Sequence, residues 1–202
     1  MLFSVIIPAY NSEVHIRKAL DSIKQQKFTD YELIVICDSC DDNTEAIAKE
    51  YGAITEKVSF HCDGPTRSRG IDIAQGDYIL FMDDDDWWLH EYVLTQLAEK
   101  LKETNYPDVL CFSFIFKHWK YATPYRDAVH KIRWIATWNK CWKRGFVAET
   151  RFPQVEFCSD KFFNECMTHK GGRWVDWDMP MYYYNYKRKG SQTALREGDI
   201  EE

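Results

Sequence analysis

The chain has no apolar run near the roughly 18 residues that a bilayer span requires, so no membrane-crossing helix is expected. It has no excess of positive charge: 26 Lys and Arg stand against 32 Asp and Glu, a net charge of −6. That balance excludes a nucleic-acid binder working through a basic face. No Gly-rich phosphate loop follows the first apolar segment, where Pro8-Ala9-Tyr10-Asn11 stands instead. This argues against a nucleotidyltransferase. Cys37-x-x-Cys40 has no second pair at a matching distance, so no zinc site is expected. The other cysteines are scattered, and Met1–Pro8 enters a strand pattern without a basic stretch. No export signal is expected, and a reducing cytoplasm with free thiols fits. His118, His130 and His169 share no spacing that suggests joint metal ligation.

What is present is a core-forming composition. Hydrophobic residues make up 45% of the 202 positions, ample for one domain and too many for global disorder. Leu2–Pro8, Tyr31–Cys37 and Tyr78–Met82 are short apolar runs, the signature of strands buried on both faces. Ile54–Phe60 and Val109–Lys117 extend the set. Between them, Ile16, Leu20 and Ile23 form a helical stripe, with Asn11 or Ser12 as the expected N-cap. Thr44–Tyr51 and Leu94–Leu101 mark two more helices. Another is expected to start at Pro65 and run to about Ala74, with Gly76 closing it. Alternation of strand and helix over the first 110 residues predicts a mostly parallel, Rossmann-like α/β sheet with helices on both faces. Beyond residue 118 the periodicity weakens. Asp160–His169 reads as a helix, and Arg173–Asp176 and Pro180–Lys187 as strands. One domain is expected, with an alternating strand–helix half (about 1–110) and a less regular extension (about 111–195).

The densest chemical signal is Asp83-Asp84-Asp85-Asp86, directly after the apolar segment Tyr78–Met82. Four adjacent carboxylates at the end of a buried strand repel one another unless something positive sits there. Oxygen-only donors suit a hard cation, Mg²⁺ or Mn²⁺, and such a cation usually shares its shell with phosphate. Asp83 and Asp85 are two apart, so in an extended segment they face the same way. Asp86 suits a cap for the following helix as well as a ligand role. Ligands of an open α/β sheet bind beyond the carboxyl ends of its strands. Three polar clusters fall there: Pro8–Asn11, Asp38–Asp42 and Asp83–Asp86.

In register, Val5–Asn11, Glu32–Asp38, Thr66–Ile71, Gly76–Trp87, Trp138-Asn139-Lys140, Phe157–Asp160 and Lys189-Gly190-Ser191 resemble the family-two, GT-A-fold glycosyltransferases, over roughly residues 2–192. The resemblance implies that Asp85 coordinates a divalent metal and that Asp83 contacts the ribose, or the metal through water. Asp84 is placed with the nucleotide-binding set. It further implies that Asp38 accepts a hydrogen bond from a uracil ring, with Tyr10 against the base, the Pro8–Ala9 backbone at its edge and Arg67 nearby. Asp160 is implied as the general base that takes the acceptor hydroxyl proton. Relatives usually carry an acidic pair here; this chain keeps the second acid and has Ser159 in place of the first. Cys37 likewise stands where many relatives have Asp. Trp87 and Trp88 are candidates for stacking on the donor or acceptor sugar, and Lys140 for neutralising a diphosphate or an anionic acceptor.

The expected activity is metal-dependent, inverting transfer of a hexose from a nucleotide-sugar donor, a UDP-hexose, to a hydroxyl acceptor. The Mn²⁺ or Mg²⁺ would stabilise the leaving diphosphate. The acceptor would be a glycan or lipid-linked sugar of bacterial surface polysaccharide or glycolipid assembly, met peripherally at the inner face of the membrane. The alternative, motivated by the lost acid before Asp160, is a catalytically impaired nucleotide-sugar binding module.

Overall fold

A computed structural model describes residues 1–116, 120–127, 132–155 and 159–186. His118, His130, Phe157-Cys158 and Lys189-Gly190-Ser191 lie outside the described residues.

The first half forms as its pattern predicts. Strands β1 (Phe3–Ala9), β2 (Tyr31–Asp38), β3 (Ile54–Val58) and β4 (Tyr78–Phe81) alternate with helices α1 (Ile16–Lys24), α2 (Thr44–Glu50) and α3 (Asp63–Ile73). All four strands run parallel, in the order β3-β2-β1-β4. The crossovers to β2 and β3 move one way along the sheet and that to β4 moves back. Right-handed connections therefore put α1 and α2 on one face and α3 on the other. The stripe Ile16, Leu20 and Ile23 is fully buried. The expected Asn11 or Ser12 cap is not made: α1 starts later and no side chain caps it. Instead the Ser12 carbonyl accepts from the His15 and Ile16 amides.

Gly76 does not close a helix either, since α3 ends at Ile73 and Ala74 is extended. Its role is close approach: a Cβ there would sit 2.6 Å from the Phe3 carbonyl carbon. The Gly76 amide donates to Ser4 Oγ at 2.8 Å, and Ser4 Oγ donates to Glu32 Oε1 at 2.5 Å. This short network satisfies a buried serine near the start of β1.

The second half extends the same sheet with mixed directions. After β5 (Trp87–Trp88), α4 (Val93–Glu103) and β6 (Val109–Phe116) come β7 (Lys120–Ala122), β8 (Tyr125–Asp127), β9 (Ile132–Arg133), β10 (Lys140–Lys143), the single turn α5 (Arg144–Val147), α6 (Ser159–His169) and β11 (Trp174–Tyr184). The order is β3-β2-β1-β4-β10-β6-β11-β5, with β7 beside β6 and β8-β9 a separate pair. Strand β10 was not legible in the sequence. It is four residues with Lys at each end, yet it inserts antiparallel between β4 and β6. The two strands expected near the C-terminus are one, interrupted by register irregularities between Trp177 and Pro180 and between Pro180 and Tyr182. The fold is of the expected α/β class. Among the described residues, no helix is long and apolar enough to cross a membrane.

Candidate functional site

The loops leaving β1, β2 and β4 meet at the carboxyl edge of the sheet. There the four aspartates have four different surroundings. Asp83 Oδ1 accepts from Arg67 Nη2 at 2.8 Å, and its amide donates to the Tyr182 hydroxyl at 3.1 Å. Burial, only partly offset by Arg67, pushes its carboxyl up to about 6. Asp84 turns back toward β1, accepting from Ser12 Oγ and, at 3.4 Å, from the Tyr10 amide. Burial and then Asp85 push it up to about 7. Asp86 is fully buried, accepting from the Tyr182 hydroxyl at 2.6 Å and the Asn185 amide at 2.7 Å. It is not the expected helix cap: α4 begins seven residues later, and the burial that removes Asp86 from solvent also raises its carboxyl. Asp85 is half-buried in the same loop.

Among the described residues, no three His, Cys, Asp or Glu side chains group as a metal cage. A Mg²⁺ or Mn²⁺ that shares its shell with diphosphate and water needs only one or two carboxylates. The crowded acids, with Asp83 and Asp84 pushed up by burial and by their neighbours, fit such a cation as the missing positive charge.

The nucleotide-side residues are partly brought together. Tyr10 projects from the end of β1 and is 64% exposed, with its ring open to a flat ligand. Pro8 and Ala9 stay in β1, and the Ala9 carbonyl accepts from the Cys40 thiol at 3.4 Å. Asp38 ends β2 but is only 5% exposed. Its Oδ1 accepts from the Phe60 and His61 amides at 2.8 and 3.0 Å and from Ser39 Oγ at 3.0 Å. Its Oδ2 accepts from the Cys62 amide and Thr66 Oγ1, both at 2.9 Å. Burial raises this carboxyl, but the donors outweigh it and hold it below the usual range. Asp38 therefore anchors the turn between β3 and α3, and a base could bond to it only by displacing one of these donors.

Arg67 joins the two halves of the site. It lies on the first turns of α3, and its side chain is 8% exposed. Nη1 pairs with Asp63, Nη2 with Asp83, and Nη1 lies 3.7 Å from Asp160 Oδ1. Burial disfavours the cation, but Asp160, Asp83 and Asp63 together outweigh it and keep the guanidinium charged. Asp160 sits on the first turn of α6, its Oδ2 held by the Thr137 amide and Oγ1, both at 3.1 Å. Its Oδ1 is buried without a hydrogen bond, as is Arg67 Nε.

The two tryptophans are corrections. Strand β5 pairs with β11, setting Trp88 opposite Tyr182 and Trp87 opposite Tyr183. Trp88 is 2% exposed and belongs to the core. Trp87 stacks on Tyr183 at 4.1 Å between ring centroids, and Lys18 Nζ lies 3.1 Å from its ring centroid. Stacked aromatic and ammonium occupy the ring faces that a sugar would need. Lys140 is also buried, donating to the Trp134 and Ala136 carbonyls and to Asn139 Oδ1. It ties a loop together and does not face a diphosphate. Thr137, Asp63 and Tyr182 are site residues that the sequence did not flag. Tyr182 lies in an aromatic run that reads as core, and the others join the site only through contacts distant in sequence.

The model of the family "Glycosyl transferase family 2" matches residues 4–160. EpsH of Bacillus subtilis is 28% identical over 208 residues, covering 90% of this chain and 60% of EpsH. The poly(ribitol-phosphate) beta-N-acetylglucosaminyltransferase TarS of Staphylococcus aureus is 36% identical over 118 residues, 54% of this chain and 20% of TarS. The structure of S. aureus TarS 1–349 in complex with UDP-GlcNAc superposes with a TM-score of 0.84 at 22% identity, covering 96% of this chain and 61% of that one. A Pyrobaculum calidifontis mannosyltransferase in complex with GDP-Man and Mn²⁺ gives 0.71 at 17% identity, covering 93% and 58%. The chain thus spans 60% or less of these curated relatives. The family match across most of the chain and the GT-A fold lead to one conclusion: this chain belongs to glycosyl transferase family 2.

Proposed function

We propose that the chain transfers a hexose from a UDP-hexose to a hydroxyl acceptor with inversion, using a divalent metal. The observation that carries this reading is Arg67, which links Asp83 of the acidic loop to Asp160 at the head of α6. In this reading Asp83 serves the leaving-group side of the reaction and Asp160 the acceptor side. Asp85, with Asp83, would hold Mn²⁺ or Mg²⁺, which when bound supplies charge to the departing diphosphate. Tyr10 would lie against the base. Asp160 would take the proton from the acceptor hydroxyl as its oxygen attacks the anomeric carbon. Thr137 holds Asp160 Oδ2, while Oδ1 is buried and makes no hydrogen bond; in this reading Oδ1 is the oxygen that takes the proton.

The named relatives support the class of substrate. The matched S. aureus structure holds UDP-GlcNAc, and a Campylobacter jejuni relative, 33% identical over 107 residues, is named for glucosyl transfer to an undecaprenol-linked saccharide. We infer a role in surface polysaccharide or glycolipid assembly, on the cytoplasmic side, with the acceptor met at the membrane face.

A thermal-shift panel of UDP-, GDP- and dTDP-sugars with and without Mn²⁺ tests the donor. Stabilisation by UDP-sugars that requires Mn²⁺ is expected, and stabilisation by every donor regardless of metal, or by none, would count against the reading. Asp160→Asn should lower transfer by about 10²–10⁴-fold with donor binding kept. The rival reading, a binding module without turnover, predicts donor stabilisation in the wild type and no UDP release.

A further inference from the structure

The position before Asp160 is Ser159, yet a carboxylate stands beside it. Ser159 Oγ donates to Asp63 Oδ2 at 2.9 Å, across 96 residues of sequence. The same Asp63 oxygen accepts from Arg67 Nη1. The approach of the two helices is built for this. Gly64 lies where a Cβ would be 3.2 Å from Ser159 Cβ and 2.4 Å from the Pro153 carbonyl oxygen. A side chain at residue 64 would collide with the Pro153 carbonyl and crowd Ser159, so glycine permits the close packing of α3 here.

Arg67 Nη1 therefore has two acids to choose from. It bonds Asp63 and stands 3.7 Å from Asp160 Oδ1, an ion pair too long for a hydrogen bond. Asp160 Oδ1 is left buried with no donor. Were Asp63 neutral, the guanidinium would be free to close that gap and occupy the oxygen with a charge-assisted bond.

We propose that Asp63 is a positioning residue for Asp160: its carboxylate, delivered from α3 to the side of Ser159, holds Arg67 Nη1 and keeps the guanidinium from hydrogen-bonding Asp160 Oδ1, the oxygen that would take the acceptor's proton. The inference rests on the reading of Asp160 as the base. It implies that the acid absent at residue 159 has been relocated in space to residue 63. Asp63 and an acid at 159 are then alternatives, because Ser159 Oγ is already within hydrogen-bond distance of the Asp63 carboxylate. Two carboxylates that close disfavour one another.

The test is a four-corner cycle of wild type, Asp63→Asn, Ser159→Asp and the double variant, read in two ways. The first is release of UDP from UDP-glucose and UDP-GlcNAc with Mn²⁺ and water as acceptor. Asp63→Asn should lower kcat about tenfold or more, with the donor KM within about twofold, a part of what a general base contributes. The double variant should recover most of that loss. The second reading is thermal unfolding, which needs no turnover. Ser159→Asp alone should lower Tm by about 3 °C or more, and adding Asp63→Asn should restore it. A folded Asp63→Asn that turns over like wild type would overturn the proposal. So would a double variant no faster than Asp63→Asn, or unfolding effects that merely add. If the wild type releases no UDP from any donor, the transferase reading fails, and the unfolding cycle still decides whether residues 63 and 159 share one carboxylate.

Discussion

The Tyr182 hydroxyl donates to Asp86 Oδ2 at 2.6 Å and accepts from the Asp83 amide at 3.1 Å. One phenol on β11 thus holds two points of the acidic loop. It explains how a fully buried aspartate is tolerated there: its oxygens are met by Tyr182 and by the Asn185 amide. Tyr182→Phe would strip one donor from a buried carboxylate. The expected cost is about 1–3 kcal/mol in urea unfolding, together with weaker donor-dependent stabilisation as the loop loosens. A phenylalanine variant as stable as wild type would show that this bond does not hold the loop.

Asp38 yields a pH-dependent prediction. Its folded carboxyl lies below the usual range because, against the cost of burial, it accepts from backbone amides and two hydroxyls. A depressed carboxyl stabilises the fold above its unfolded pKa of about 3.9 and loses that contribution as pH falls through the folded value. Asp38→Asn should therefore destabilise by about 2–3 kcal/mol at pH 7, with the gap to wild type narrowing below about pH 4. Chemical unfolding at pH 7, 5 and 3.5 measures it. A gap that stays constant across that range would mean that charge is not what Asp38 supplies.

Arg67 is the shared cation of Asp63, Asp83 and Asp160. Arg67→Met leaves three carboxylates around an apolar stem, and losing one partner of a buried pair costs about 3–5 kcal/mol. Arg67→Lys should recover only part, because a single ammonium cannot reproduce the fork that reaches Asp63 and Asp83 from separate nitrogens. Equal stability of the Lys variant and wild type would argue that charge alone matters here.

For Trp87, packing and sugar stacking make opposite forecasts. The ring is already against Tyr183 and under Lys18. Trp87→Ala should cost about 2–4 kcal/mol of stability with donor affinity within about twofold. A tenfold loss of donor affinity at unchanged stability would return the ring to the sugar.

How far the sequence could be read depended on how local each cause was. The parallel half was legible because each buried strand is a short apolar run and each helix carries its own stripe, as in Ile16, Leu20 and Ile23. The acidic run stood out by type and spacing, and Asp160 through the family resemblance. The fates of Asp86, Trp87, Trp88 and Lys140 were not legible. Each depends on a partner far along the chain: Tyr182 and Asn185 for Asp86, β11 for the tryptophans, and the Trp134 and Ala136 carbonyls for Lys140. Strand β10 was missed for the same reason, since its pairing with β4 and β6 gives it a strand's identity that four residues of mixed polarity do not.

The sequence by itself determined the α/β class, the loops at which chemistry collects and the residue types available there, because hydrophobic period and side-chain chemistry are written locally. The tertiary structure decided which aspartates are crowded, which are satisfied and which share Arg67. Ser159 shows the difference most clearly. In sequence it is a missing acid; in space Asp63 fills the same neighbourhood, because folding sets charges by distance and burial and not by their order along the chain.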